Sequence, residues 1–135
     1  MKLVFLDTSG LVALVNARDR LHQKATQVYH GLRVKQIATD AVLVESGNLL
    51  SYLGTRYLAV RLKDRVGAAK QLGIIEVVHV DEVLLERAWQ LYRNRPDKEW
   101  SMTDCISFVV MQDRGIVQAF TDDHHFEQAG LVKLL

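Results

Sequence analysis

Four places in this chain hold carboxylates that could do chemistry together. Asp7 ends the apolar run Leu3-Val4-Phe5-Leu6, and Glu45 interrupts the apolar stretch AVLVESGNLL. Asp104 follows Ser101-Met102-Thr103, and Asp122 and Asp123 come directly after the run from Ile116 to Phe120. An unbroken run such as Leu3–Leu6 is the pattern of a strand buried on both faces of a sheet. In open parallel sheets, ligands bind outside the carboxyl ends of the strands, the edge where the following helices begin. The acids are scattered along the sequence, yet they are expected to converge at that edge.

Each acid also has a purely structural explanation. Asp7 or Ser9 could cap the helix after strand one. Ser101-x-x-Asp104 has the form of a capping box, with Asp in place of the usual Glu or Gln. Asp122 or Asp123 could cap a short helix. Glu45 resists this treatment, because a glutamate inside an apolar helical run is costly to bury unless it is paired or binds a cation. Asn48, one turn further on, shares its face. Crowded carboxylates repel and raise one another's pKa values, so such a cluster calls for a hard cation. Donors that are all oxygen suit Mg²⁺ or Mn²⁺, and no Cys/His spacing suits zinc. Acidic metal sites without a protein nucleophile point to phosphodiester hydrolysis, in which metal ions generate hydroxide and stabilise the attacking and leaving oxygens.

The elements that must position these groups follow from hydrophobic periodicity and breaker residues. Strand one, residues 3–6, leads through Thr8-Ser9-Gly10 into a helix beginning at Leu11. Residues 22–34 read as a helix with Ala25, Val28, Tyr29 and Leu32 on one face. A brief strand, 37–39, precedes a helix capped by Thr39 or Asp40 that runs to about Tyr52. Residues 56–72 form a helix with Leu58, Leu62, Val66 and Ala69 inward, and Gly73 stops it. A strand at 74–78 leads to Asp81, the cap of a helix through Leu85, Ala88, Trp89 and Tyr92. Pro96-Asp97 ends that helix. A further helix spans 101–114, stopped by Gly115, before a strand at 116–120, a turn with a short helix, and a last strand at 131–135. Alternating strands and helices indicate an α/β fold with a mostly parallel sheet.

Composition sets the class. The 135 residues fit one domain, 1–135, and 49% apolar with 24% charged residues is ordinary for a soluble globular protein. The apolar runs are too short to cross a membrane, and Lys2 followed by four apolar residues is not a signal peptide. The single cysteine, Cys105, cannot form an internal disulfide, so a reducing, cytoplasmic setting is expected. A net charge of +1 does not mark a bulk nucleic-acid binder, so any such contact must come from local patches. The basic helix 56–72 is either a solvated amphipathic surface or a wall that tracks phosphates.

The motifs LDTS, ExxN, SMTDCISF and TDDHHF, in that order over essentially the whole chain, resemble the PIN domain family. The resemblance is nearest to the small bacterial and archaeal VapC-like toxins. It implies a three-layer α/β/α fold around about five parallel strands in the order 3-2-1-4-5. It also implies Mg²⁺- or Mn²⁺-dependent endoribonuclease activity, a homodimer, an RNA substrate and a cognate antitoxin. Asp7, Glu45 and Asp104 match the principal acids. The T-x-D pattern selects Asp123, with Thr121 before it, and Asp122 is the runner-up. Thr8, Asn48, Thr103 and Thr121 fit the role of holding carboxylates and metal-bound water, with Ser9 and Ser101 as lesser candidates. Arg56, Arg61 and Lys63 are the candidate RNA contacts.

His22, His30 and His79 are read as surface or structural, and His124 and His125 are left outside catalysis. Trp89 and Trp100 are read as packing residues and Cys105 as core. Two other functions compete. One is a catalytically silent PIN-like scaffold, although such members typically lose acids that this chain keeps. The other is a HAD-like phosphatase, suggested by FLDTSG. Ser9 stands where that motif needs its second aspartate, and Glu45 would go unexplained.

Overall fold

The computed structural model describes residues 2–135. Strand β1 (Leu3–Leu6) lies at the centre of a five-stranded sheet. On one side it pairs with β2 (Lys35–Thr39) and, beyond that, β3 (Ile75–Val78); on the other with β4 (Gln118–Phe120) and then β5 (Val132–Lys133). The order is 3-2-1-4-5, and every pairing is parallel. Val4, Phe5 and Leu6 are sealed from solvent, each worth about 1.5–3 kcal/mol of burial. That accounts for the continuous apolar run in the sequence.

Parallel neighbours need crossovers. Helices α1 (Thr8–Val15) and α2 (His22–Gly31) join β1 to β2, while α3 (Asp40–Leu49) and α4 (Arg56–Gln71) join β2 to β3. Helices α5 (Glu82–Asn94) and α6 (Met102–Arg114) carry the chain back across the sheet to β4, and α7 (His124–Gln128) precedes β5. Helices cover both faces. Leu11, Tyr29 and Leu62 bring α1, α2 and α4 together on one, and α5 packs along α6 on the other. Because the chain leaves β1 toward β2 and returns on the opposite side as β4, the switch point lies between β1 and β4. In open parallel sheets the ligand crevice lies at the strand ends beside such a point.

Local chemistry sets the helix boundaries. Thr39, not Asp40, caps α3, its hydroxyl accepting from the Val42 N–H at 3.1 Å. Asp40 instead accepts from the Val80 N–H and meets His79. Asp81 caps α5, and Ser101 with Asp104 forms a complete capping box. Gly115 closes α6 in the left-handed region at φ 63, where a side chain would be strained.

Several boundaries differ from the periodicity. Helix α2 ends at Gly31 rather than Val34, because Arg33 donates to the His30 and Leu32 carbonyls and takes up that end. Helix α3 ends at Leu49, short of Tyr52. Strand β4 starts at Gln118, since the Ile116 N–H donates to the Met111 carbonyl and belongs to the helix exit. Strand β5 keeps two residues of the expected five.

Trp89, read as a packing residue, lies half-exposed on helix α5. The helix buries Leu84 and Ala88, leaving Leu85, Trp89 and Tyr92 on an exposed flank, with Trp89 45% exposed. Trp100 does pack, edge-on to Phe108 with ring centres 5.0 Å apart. Cys105 is buried, and burial beside the Asp104 charge pushes its thiol up to about 11. No helix among the described residues is long and apolar enough to cross a membrane.

Helix α1 touches β4 through a bare backbone position. A Cβ on Gly10 would overlap the carbonyl oxygen and ring of Phe120, and backbone cannot yield as a flexible side chain would. We therefore expect Gly10→Ala to destabilise the fold by roughly 1–3 kcal/mol, the usual range for overpacking. Urea unfolding with an unchanged midpoint would show that α1 can shift instead.

Candidate active site

Asp7 is the first residue past β1, and it is 4% exposed. Its backbone N–H still donates to the Phe120 carbonyl at 3.3 Å, so β1 and β4 remain tied at the switch point. The carboxylate accepts a hydrogen bond from the Thr121 hydroxyl at 2.7 Å. With that proton committed, Thr121 accepts from the Ser9 hydroxyl at 2.9 Å and from the Asp123 N–H at 3.0 Å. Ser9 in turn accepts from the Asp122 N–H at 2.9 Å. Thr121 is fully buried and couples the ends of both strands.

The opposite wall is the first turn of α6. Asp104 is 6% exposed and accepts from the Ser101 N–H at 3.1 Å. Its other neighbour is His125, whose Nδ1 lies 3.2 Å from Asp104 Oδ2 and also 3.2 Å from Asp123 Oδ1. A single imidazole nitrogen thus bridges two carboxylates. The His125 N–H donates to Asp123 Oδ1 at 2.9 Å, which makes Asp123 the cap of α7 and folds residue 125 back over the site.

Electrostatics follow from burial and crowding. Asp7 is pushed up to about 7, chiefly by loss of water, with the Asp104 and Asp123 charges adding to the rise and the Thr121 hydroxyl opposing it. Asp104 is also raised, first by burial and then by the charges of Asp123 and Glu45; the Ser101 N–H and His125 pull it down. Among the described residues no cationic side chain pairs with Asp7. The adjacent Thr8 hydroxyl is buried with no hydrogen-bond partner.

Glu45, on α3, is half-buried and close enough for its charge to act on Asp104. With Val44, Asn48, Leu85 and Thr103 it lines a cleft of ≈470 Å³ between α3, α5 and α6. Asp122 is drawn away, pairing with Arg20 at 2.9 Å and Lys133 at 3.5 Å. Asp123 is the member of the doublet whose charge reaches Asp7 and Asp104.

The structure thus brings Asp7, Glu45, Asp104 and Asp123 to one edge, with Thr8, Thr103 and Thr121 among them and Asn48 at the cleft wall. Arg56, Arg61 and Lys63 stand apart on exposed positions of α4. Ser9 and Ser101 are hydrogen-bond partners within the site.

The sequence reading missed His125. Its signal was the spacing T-x-D-x-H, in which a capping aspartate returns the residue two positions later to the cap. The turn after β4 also places two histidines beside Asp123. Asp123, His124 and His125 have donor atoms all within 4.8 Å of one another. The oxygen-rich acid set, the uncompensated Asp7 and the unpartnered Thr8 hydroxyl fit a hard divalent cation held by Asp7, Asp104, Asp123 and Glu45.

Comparison with known proteins agrees with this geometry. The chain is 31% identical over 132 residues, 98% of each protein, to the 23S rRNA-specific endonuclease VapC20 of Mycobacterium tuberculosis. The crystal structure of that protein, a sarcin–ricin loop cleaving toxin, superposes with a TM-score of 0.85 at 32% identity over 96% of both chains. The crystal structure of FitAcB from Neisseria gonorrhoeae has the same fold, with a TM-score of 0.68 at 15% identity, covering 96% of this chain and 95% of that one. Residues 4–131, the acid-bearing strand ends and helix starts included, match the PIN domain, and the chain belongs to that family.

Proposed function

We propose that this chain is a divalent-metal-dependent endoribonuclease, the toxin of a toxin–antitoxin pair. The observation that carries the proposal is the Asp7 carboxylate, buried beside the Asp104 and Asp123 charges with no cationic side chain to offset it. Structural carboxylates are buried with a partner; a buried acid cluster without one is arranged for a ligand cation. The likeness to VapC20, a 23S rRNA-specific endonuclease, supports RNA as the polymer cut and makes ribosomal RNA the first substrate to try.

Asp7, Glu45, Asp104 and Asp123 would hold Mg²⁺ or Mn²⁺. When bound, such an ion supplies an activated water nucleophile at neutral pH and offsets charge on the leaving oxygen. Thr121 fixes the Asp7 carboxylate through its hydroxyl. The Ser101 N–H and His125 orient Asp104, and His125 also holds Asp123. These contacts pre-set the acids in the geometry a ligand cation requires. A homodimer and a cytoplasmic setting belong to the same proposal. The exposed apolar flank Leu85, Trp89 and Tyr92 of α5, with Val44 facing the same cleft as Leu85, supports the homodimer.

Three outcomes test this reading. Purified chain should cut ribosomal RNA with Mg²⁺ or Mn²⁺ and stop with EDTA. Asp7→Asn should lower the rate by more than about 100-fold, beyond the 10–100-fold typical of outer partners. Folded chain that cuts no RNA under any metal condition would sink the proposal.

The second outcome concerns stability without metal. Between about pH 4 and pH 7 the folded chain keeps a proton on Asp7 that the unfolded chain has released, so stability falls as pH rises through this window. The accumulated penalty is at most about 4 kcal/mol. In EDTA, Asp7→Asn should therefore melt above the parent at pH 8 and match it near pH 4. An equal gap at both pH values would mean that Asp7 carries no such burden.

The third outcome concerns His125. Removing its ring takes one contact from each of two carboxylates and leaves their backbone N–H partners, so His125→Ala should weaken Mn²⁺ binding by roughly 10–100-fold in calorimetry. Unchanged affinity would reduce His125 to a packing residue.

A further inference from the structure

Helix α4 carries Arg56, Arg61, Lys63, Arg65 and Lys70 against a single acid, Asp64. None of these cations enters an ion pair among the described residues, whereas Arg20, Lys35, Arg87, Arg95, Arg114 and Lys133 all do. A row of exposed cations without counter-charges repels itself and attracts a polyanion.

The start of α4 adjoins the end of α3, and between them lies a recess of ≈580 Å³. Gly47, Asn48 and Ser51 form one wall, and Arg56, Tyr57 and Val60 the other. The space beside Gly47 is open: a Cβ there would meet nothing within 4 Å. Asn48 also lines the cleft that holds Glu45 and Thr103. Glu45 precedes Asn48 by about one helical turn, roughly 5 Å along the axis, so the recess begins next to the acid cluster.

Tyr57 is 59% exposed, with the Arg61 guanidinium 5.4 Å from its ring centre. An open aromatic face backed by arginine is the kind of platform on which unpaired bases stack. Arg56 sits at the mouth, one Nη1 donating to the Ser51 carbonyl at 3.0 Å. Its other N–H groups are free for a phosphate.

We propose that the α3–α4 recess is a base-binding subsite: an unpaired nucleotide flanking the cut phosphate stacks on Tyr57 while Arg56 holds its phosphate. The inference rests on the ribonuclease reading and adds a residue that selects where RNA is cut. A second copy of this chain is the competing occupant, given the exposed Leu53 and Val60 nearby. The unpaired cations oppose it, since a two-fold contact through this face would bring like charges together.

The test uses a fluorescein-labelled mixed-sequence oligoribonucleotide, the full chain, and EDTA to prevent cutting. Tyr57→Ala should weaken binding roughly 5- to 100-fold without changing the salt slope, and Tyr57→Phe should restore affinity. Arg56→Gln should flatten the log–log salt slope by about 0.7, the value for one phosphate contact on a single strand. With metal, Tyr57→Ala should redistribute the cut positions in a mixed RNA pool. If the parent cuts RNA and Tyr57→Ala matches it in affinity and cut positions, the subsite alone is overturned. If Tyr57→Ala changes the mass in light scattering, the face belongs to a second copy and the subsite is likewise overturned. If the parent neither binds nor cuts RNA, the ribonuclease reading falls and the subsite with it.

Discussion

The structure depends on holding one carboxylate where water is nearly absent. Asp7 lies at the end of the central strand and beside the switch point between β1 and β4. Its burial is a consequence of the sheet order: a central strand covered by helices on both faces has no wet edge on which to leave a carboxylate exposed. Neighbouring features are arranged around that constraint. Gly10 lacks a side chain, so α1 can lie against Phe120. Thr121 gives its proton to Asp7 while accepting from Ser9 and Asp123. Neutral hydrogen bonds of this sort orient an anion, but they recover only part of its lost hydration.

Asp104 shows that capping and site chemistry are not alternatives. One of its oxygens accepts from the Ser101 N–H, which completes the capping box and anchors the start of α6. The same oxygen meets His125, which reaches across to Asp123. The bond that fixes the helix also fixes the direction in which the carboxylate points. Asp123 repeats the pattern, capping α7 through the His125 N–H while its charge acts on Asp7 and Asp104. Rigid helix starts therefore supply the preorganisation that a cluster of like charges would otherwise resist.

This double use explains what the sequence could and could not reveal. The strand order was legible only through the resemblance to the PIN family that the motif order carries; the convergence of Asp7, Glu45, Asp104 and Asp123 was legible from apolar runs that place each acid near a strand end or helix start. The choice between Asp122 and Asp123 was not, since it turns on Arg20 and Lys133, distant partners that draw Asp122 off. His125 was missed for a similar reason: its role exists only once the turn after β4 curls over α6. The exposure of Trp89 was not legible because Leu84, Leu85, Ala88, Trp89 and Tyr92 form a band too broad for periodicity to decide which edge is buried. Helix ends at Gly31 and Leu49 were lost to local capping by Arg33 and to the turn that follows α3.

A net charge of +1 conceals a separation of charge that matters more than its sum. The acids gather at the strand ends, while five cations that enter no ion pair among the described residues lie along α4, on the far side of the Asn48 wall. Phosphates approaching the acids would meet repulsion that grows as water is displaced, and the α4 cations enter no ion pair with those acids. Had α4 been folded against the cluster, its arginines would have paired with Asp7 and Asp104 and relieved the burial penalty. The site would then have been stable and inert. Keeping the two groups apart leaves the carboxylates in need of a cation and the cations in need of an anion, and a nuclease site needs both to remain unsatisfied.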